Sequence, residues 1–130
     1  MSRAPSLFVS HGSPMFALEP GVLGPNLERI GSTLSQLTAI VVVSPHWQTH
    51  GVRITGASLL ETIYDFGGFP APLYALQYPA RGVPQIALQI LDSLRTAGFD
   101  AAIDTRRGLD HGAWVPLRYL KPAADVPVLQ

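Results

Sequence analysis

Two histidines follow apolar segments, at positions where a metal or acid–base site can form. His11 comes directly after Ser6–Ser10, and His46 follows the run Ala39–Val43 through Ser44 and Pro45. Short apolar runs of this kind predict strands, and the second, rich in β-branched residues, predicts a strand buried on both faces. In open α/β sheets, ligands bind at the carboxyl ends of the strands. Two neighbouring strands would therefore bring two imidazoles to one sheet edge, where they could bind a metal.

The residues alone leave a second interpretation open for this pair. Each of the two histidines could be a polar strand-end residue that caps a helix or a loop. A catalytic metal generally has three protein ligands and one open position, so two histidines do not complete such a site.

The two remaining histidines are predicted in loops. His50 lies four residues after His46, but the flanking proline and glycine argue against a helix that would place both on one face. We therefore expect His50 at the rim of a pocket. His111 precedes a predicted helix and is either a general acid or base or a residue that hydrogen-bonds its own turn. The side chain of the adjacent Asp110 is expected to point elsewhere.

The elements that position these residues alternate between strands and helices. Period-2 and helical apolar patterns predict strands over residues 6–10, 39–44, 52–56, 101–103 and 126–130, and helices over 26–37, 84–97 and 113–120. Gly98 suits the end of the second helix, and Pro116 fits only the first turn of the third. The strand–helix–strand order predicts parallel pairing. We expect an α/β fold, a three-layer sandwich whose central, mostly parallel sheet is flanked by helices.

A long segment rich in aromatics, glycine and proline separates the third strand from the second helix. It runs from Tyr64 to Pro79 and includes Tyr64-Asp65-Phe66-Gly67-Gly68-Phe69-Pro70. This composition disfavours regular secondary structure. Long ordered loops in compact domains usually carry function, so we expect this one to border the site.

Composition excludes several classes of protein. The 130 residues amount to one domain or part of one, with 47% hydrophobic and 14% charged residues and a net charge of zero. No basic face is available for nucleic acid and no polybasic segment for a membrane. The absence of cysteine excludes disulfides and thiolate metal sites. No signal peptide or spanning apolar run is present, so we expect a cytoplasmic protein.

Four stretches of the chain carry motifs that can be compared with known families. In chain order they are Ser10-His11-Gly12-Ser13-Pro14-Met15, Val43-Ser44-Pro45-His46-Trp47, Tyr64-Asp65-Phe66-Gly67-Gly68-Phe69-Pro70 with Leu73-Tyr74 and Tyr78-Pro79-Ala80, and Gly108-Leu109-Asp110-His111-Gly112-Ala113-Trp114-Val115-Pro116-Leu117. Together, and in this order, they resemble the class III extradiol ring-cleavage dioxygenases, specifically the DODA-type (DOPA extradiol dioxygenase) branch of the LigB-like superfamily. They extend over nearly the whole chain, and four motifs in order are far more specific than any one of them.

The resemblance implies a non-haem metal site at which dioxygen opens a catechol ring beside its hydroxyls. His11 and His46 match the metal ligands of the family. The metal implied is ferrous iron, with zinc as the second candidate. The partners implied are a small catechol and O₂.

The resemblance also implies roles for residues outside the metal ligands. His111 matches a histidine that assists acid–base steps or holds substrate or dioxygen. His50 lies outside the motifs and inherits no role. Candidates for shaping the substrate pocket, with loop packing as the alternative, are Asp65, Phe66 and Tyr74.

The chain departs from the family in length, because members run to roughly twice its size. Residues 1–130 therefore resemble the N-terminal part of a single dioxygenase domain with an incomplete sheet. In the family the other half carries a further ligand and a second catalytic histidine, and no histidine follows His111 here. A complementing C-terminal half or a homo-oligomer is the expected partner.

Two other functions are compatible with the residues. One is a zinc-dependent hydrolase on a related scaffold, although no HExxH helix is present. The other is an inactive half-domain, whose open sheet edge and exposed core promote association. Dependence on metal identity and on oxygen separates the hydrolase from the dioxygenase, because zinc does no redox chemistry.

Overall fold

Strands alternate with helices along the chain, in a computed structural model that describes residues 3–130. In chain order the elements are a 3₁₀ turn at Pro14–Ala17, α1 (Leu23–Thr33), β1 (Ile40–Val41), β2 (Val52–Thr55), α2 (Ala71–Tyr74), α3 (Pro84–Thr96), β3 (Ala101–Asp104), α4 (His111–Leu120) and β4 (Val128–Leu129). Short parallel sheets flanked by helices confirm the predicted α/β class. No helix among the described residues is both long and apolar enough to cross a bilayer.

The strands form two parallel pairs that join at one point. β1 pairs with β4, and β2 pairs with β3. Between the pairs, the Thr55 amide donates to the Gln130 carbonyl at 2.9 Å, and the Gln130 amide donates to Thr55 Oγ1 at 2.9 Å. The carboxyl ends of β1, β4 and β2 therefore lie side by side, with β4 in the middle.

The prediction of a strand over residues 6–10 was wrong for this structure. These residues are irregular, and Phe8 is fully exposed. Within the described chain they make no backbone hydrogen bond to β1, and the Ile40 and Val42 amides bond instead to carbonyls of the segment that contains β4. A strand needs a neighbour that satisfies its backbone groups, and here residues 6–10 have none.

The expectation that the strand before His46 is buried on both faces was also wrong. Val41 is 59% exposed and Val43 is 94% exposed. β1 pairs with β4 along one edge and packs against the core. Its other edge pairs with no strand among residues 3–130. The run of β-branched residues therefore predicts a strand correctly, but it does not predict how much of that strand is buried.

Helix α4 begins two residues earlier than predicted. The Asp110 carboxylate accepts a hydrogen bond from the Gly112 amide and caps the helix at His111. Pro116 then falls in the second turn, not the first, and lacks the amide that would bond one turn back. The largest hydrophobic cluster packs around this helix, with Trp114 fully buried and its indole nitrogen donating to the Ile63 carbonyl at 2.9 Å.

The remaining helices lie near their predicted positions. α3 spans Pro84–Thr96, and Gly98 follows it with φ +90°, a conformation that glycine adopts freely. α1 lies three to four residues before its predicted bounds. Gly31 of α1 has a packing role, because a Cβ at this position would overlap the Leu120 carbonyl of α4.

Candidate metal centre

Three histidines from distant parts of the chain converge at one place. His11 precedes the 3₁₀ turn, His46 follows β1, and His111 is the first residue of α4. One ring nitrogen of each lies within 4.8 Å of the others. The Nε2 atoms of His11 and His46 are 3.0 Å apart, and the ring centroids of His46 and His111 are 4.0 Å apart. His111 is buried, His11 half-buried and His46 exposed, so the cluster opens to solvent on one side.

Local backbone features position His11 and His46 in the cluster. Gly12, with φ +59°, turns the chain directly after His11. Ser13 then starts the 3₁₀ turn by accepting a hydrogen bond from the Met15 amide at 3.1 Å. On the other side, the His46 amide donates to the buried Ser44 hydroxyl at 3.2 Å.

The Asp65 carboxylate holds His111 at two points. One oxygen accepts from the His111 backbone amide at 2.9 Å, and the other lies 2.8 Å from the ring Nδ1. Burial alone would raise the pKa of Asp65, but the hydrogen bonds from His111 more than offset it and leave that pKa below its usual value. An ionised Asp65 keeps the proton of a neutral His111 on Nδ1. Nε2 is then the ring nitrogen free to take a proton or a metal.

The three histidines fit a divalent metal ion. His11 Nδ1 is buried without a hydrogen-bond partner among the described residues. The Nε2 atoms of His11 and His46, 3.0 Å apart, lie within the separation open to two imidazole nitrogens that each bind one ion at about 2.1 Å. Neutral imidazoles suit iron, zinc and copper.

Aromatic side chains of the loop after β2 form a wall beside His111. The Phe66 ring meets His111 edge-on, with centroids 5.6 Å apart and planes at 89°. Tyr74 packs behind Phe66 at 5.3 Å, and its hydroxyl accepts from the Phe69 amide at 3.3 Å. Asp65 and Phe66 thus lie against the histidine cluster, whereas Tyr74 supports the loop.

His50 lies outside the cluster, on the exposed turn before β2. This position agrees with the expectation of a loop histidine. Its separation from the cluster makes it a natural control for the other three.

Sequence reasoning missed a buried set of polar residues beneath the cluster. Asp110 is fully buried, and its carboxylate accepts from the Ser44 hydroxyl at 2.7 Å and from the Gly112 amide at 2.9 Å. Its side chain points away from the His111 ring, as expected. The one available signal was an aspartate directly before a helix, which is a typical N-cap.

The comparison with protein families identifies the family of the chain. Residues 6–130 match the family described as the catalytic LigB subunit of aromatic ring-opening dioxygenase. The chain belongs to this family, which confirms the resemblance that its motifs carry.

Three curated relatives and one solved structure show how much of a family member the chain represents. It is 42% identical to the 4,5-DOPA dioxygenase extradiol of Escherichia coli K12, with 99% of the chain matching 47% of that protein. The Beta vulgaris protein of the same name is 42% identical, and the match covers 96% of this chain and 48% of that protein. Dioxygenase tasH of Hapsidospora irregularis is 37% identical, and the match covers 100% of this chain and 44% of that protein. The chain spans about half the length of these relatives.

The solved structure supports the fold. The crystal structure of an uncharacterized Escherichia coli K12 protein superposes with a TM-score of 0.64 at 33% identity. The match covers 85% of this chain and 39% of that one.

Proposed function

We propose that this chain provides metal-binding and acid–base residues of an extradiol dioxygenase that opens a catechol ring with O₂. The observation that carries this proposal is the convergence of three histidines beside an aromatic loop. His11 and His46 are the proposed metal ligands, with ferrous iron as the metal and zinc as the second candidate. His111 is the proposed catalytic acid or base.

A divalent metal bound here would hold a catechol and dioxygen side by side and lower the pKa of the bound hydroxyl. The chain's own groups supply the proton chemistry. Nε2 of His111 accepts the proton of a catechol hydroxyl and can return it to an oxygen on the opened ring. Asp65 stabilises the imidazolium that forms in between, because its carboxylate already binds Nδ1.

The aromatic loop is proposed to position the catechol ring. Phe66 stands edge-on to His111 and offers an apolar surface to a planar substrate. Asp65 acts on the substrate through His111, because both Asp65 carboxylate oxygens are already hydrogen-bonded to His111. Tyr74 contributes by fixing Phe66 and the turn at Phe69.

The test is oxygen uptake by the iron-loaded protein. The chain is loaded with Fe²⁺ without air, mixed with DOPA or a simple catechol, and then aerated. We expect iron-dependent uptake and a yellow ring-opened product when the site is completed, either by a C-terminal half added after Gln130 or by a second copy of the chain. His111→Ala should slow product formation by about 10²-fold or more with metal content unchanged. Loss of metal in that variant would make His111 a ligand, and product formation without any metal would contradict the proposal.

A zinc-dependent hydrolase is the second candidate, because a three-histidine set with one open position also suits catalytic zinc. Such an enzyme would be active with zinc in the absence of oxygen. Ester hydrolysis by the zinc-loaded chain under nitrogen, abolished in His46→Ala, would favour it over the dioxygenase.

A further inference from the structure

The buried Asp110 carboxylate connects the segments that carry His46 and His111. Asp110 precedes His111 and caps α4, and it accepts a hydrogen bond from Ser44, two residues before His46. The Ser44 hydroxyl in turn accepts from the His46 amide at 3.2 Å. A continuous path of hydrogen bonds therefore runs from the His46 backbone to the first turn of the helix that begins with His111.

A second path leads from Asp110 to the residue after His46. Arg107 Nη2 lies 3.3 Å from Asp110 Oδ2, and the Arg107 guanidinium lies 5.2 Å from the centroid of the Trp47 ring. The segment of residues 44–47 is thus held from both sides of His46. Arg107 also provides the positive charge that a buried carboxylate requires.

The third connection is to the end of β4. The Gln130 side chain pairs with Asp110 twice, accepting from its backbone amide and donating to its carboxylate. The Gln130 backbone is itself bonded to Thr55 of β2. Asp110 is therefore linked to the end of β4 and, through Gln130, to β2.

The packing leaves little freedom for movement at this point. A Cβ on Gly112 would lie 2.4 Å from Ser44 Oγ and 2.8 Å from His46 Cδ2. Only a glycine lets α4 approach the His46 segment this closely. The separation of the two histidines is set by this contact and by the hydrogen bonds through Asp110.

We propose that Asp110 and Ser44 are positioning residues that fix the distance between His46 and His111 before any metal binds. They do not touch substrate or metal. The proposal rests on the proposed metal centre for its functional meaning, but the geometry it describes belongs to the metal-free protein. Groups that orient metal-binding histidines typically change metal affinity about 10- to 100-fold when removed.

Two variants and one control test this role. Ser44→Ala removes the link to His46 and leaves the helix cap intact. Asp110→Asn keeps the size and the capping ability of the residue, because asparagine caps as well as aspartate. Asp104→Asn is the control, since the Asp104 carboxylate, like that of Asp110, accepts from the backbone after it, in this case the Arg106 and Arg107 amides, but has no hydrogen bond to any of the three histidines among the described residues.

The first readout needs no metal. In protein labelled with ¹⁵N-histidine, we expect both Ser44→Ala and Asp110→Asn to shift the ring resonances of His46 and His111. Asp104→Asn should leave them in place. Unchanged His46 and His111 resonances in both test variants would overturn the proposal.

The second readout is the affinity for Co²⁺ alone, titrated by absorption. We expect about tenfold or greater weakening in both test variants and parent affinity in the control. Parent-like Co²⁺ affinity in Ser44→Ala and Asp110→Asn would overturn the positioning role. Failure of the parent protein to bind Co²⁺ would instead overturn the proposed metal centre, while the resonance shifts still decide the positioning.

Discussion

At the scale of single residues, the most informative contact joins Asp65 and His111, which lie 46 residues apart in sequence. A carboxylate that accepts from both the backbone and the ring of one histidine fixes the ring's position and its tautomer. In the proposed function, this contact leaves Nε2 of His111 as the reactive nitrogen. This role accounts for Asp65 better than direct contact with substrate does.

The first prediction concerns the tautomer of His111. In Asp65→Asn the amide can present its NH₂ to Nδ1, which would move the ring proton to Nε2. Long-range ¹H–¹⁵N spectra should show Nδ1–H in the parent and Nε2–H in the variant. The corresponding loss of ring-opening rate should reach about 10²-fold or more, because the acid–base nitrogen is then blocked. A parent-like tautomer in Asp65→Asn would show that the carboxylate does not control the ring.

At the scale of elements, helix α4 contributes more to the position of the site residues than any strand does. It begins with His111, is capped by Asp110, and buries Trp114 and Val115 in the largest hydrophobic cluster. Its first turn touches the His46 segment at Gly112. The site therefore depends on how closely this helix approaches the end of β1.

The second prediction tests this approach with Gly112→Ala. Alanine favours a helix by about 1 kcal/mol over glycine, but the new methyl would collide with Ser44 and His46. We expect a net destabilisation of about 1–3 kcal/mol and weaker Co²⁺ binding. Gly67→Ala is the control, because nothing lies within 4 Å of its added methyl. A Gly112→Ala protein as stable as the parent would contradict the close contact.

Elements governed by local pattern were predicted well from sequence. The helical apolar period predicted a helix over residues 84–97, followed by Gly98. The observed α3 begins at the predicted residue and ends one residue earlier than predicted. The alternation at residues 52–56 gave β2 to within one residue. The strand predicted over residues 6–10 failed because strand formation depends on a partner, which no local pattern reports.

The candidate site was predicted in part. The convergence of His11 and His46 was predicted from two strand ends, and the two histidines do meet, although only His46 follows a strand and the segment before His11 is irregular. The Asp65–His111 pair and the Ser44–Asp110 hydrogen bond left no signal in the sequence. They join side chains 46 and 66 residues apart, and only the tertiary fold brings such groups together.

At the scale of the whole molecule, Val41 and Val43 form an exposed apolar surface beside the open edge of β1. Val43 is 94% exposed and Val41 is 59% exposed, and Phe8, in the segment before His11, is fully exposed. Exposed apolar side chains and an unpaired strand edge favour association. Val43 lies three residues before His46, so this surface leads toward the histidine cluster.

The third prediction is that the 130-residue chain self-associates through this surface. Val43→Ser should shift light-scattering mass toward the monomer. Val22→Ser is the matched control, because Val22 is 83% exposed but precedes α1, away from the β1 edge. A clean, stable monomer of the parent chain would contradict the prediction, as would equal effects of the two substitutions.

The central claim, that the histidine cluster binds one metal ion, is tested most directly by Co²⁺ titration of the parent chain and three single variants. The account predicts one bound ion per chain in the parent and in His50→Ala, with binding lost in His11→Ala and His46→Ala. His50 has the same chemistry but lies outside the cluster. No binding by the parent, or equal loss in His50→Ala, would contradict the account.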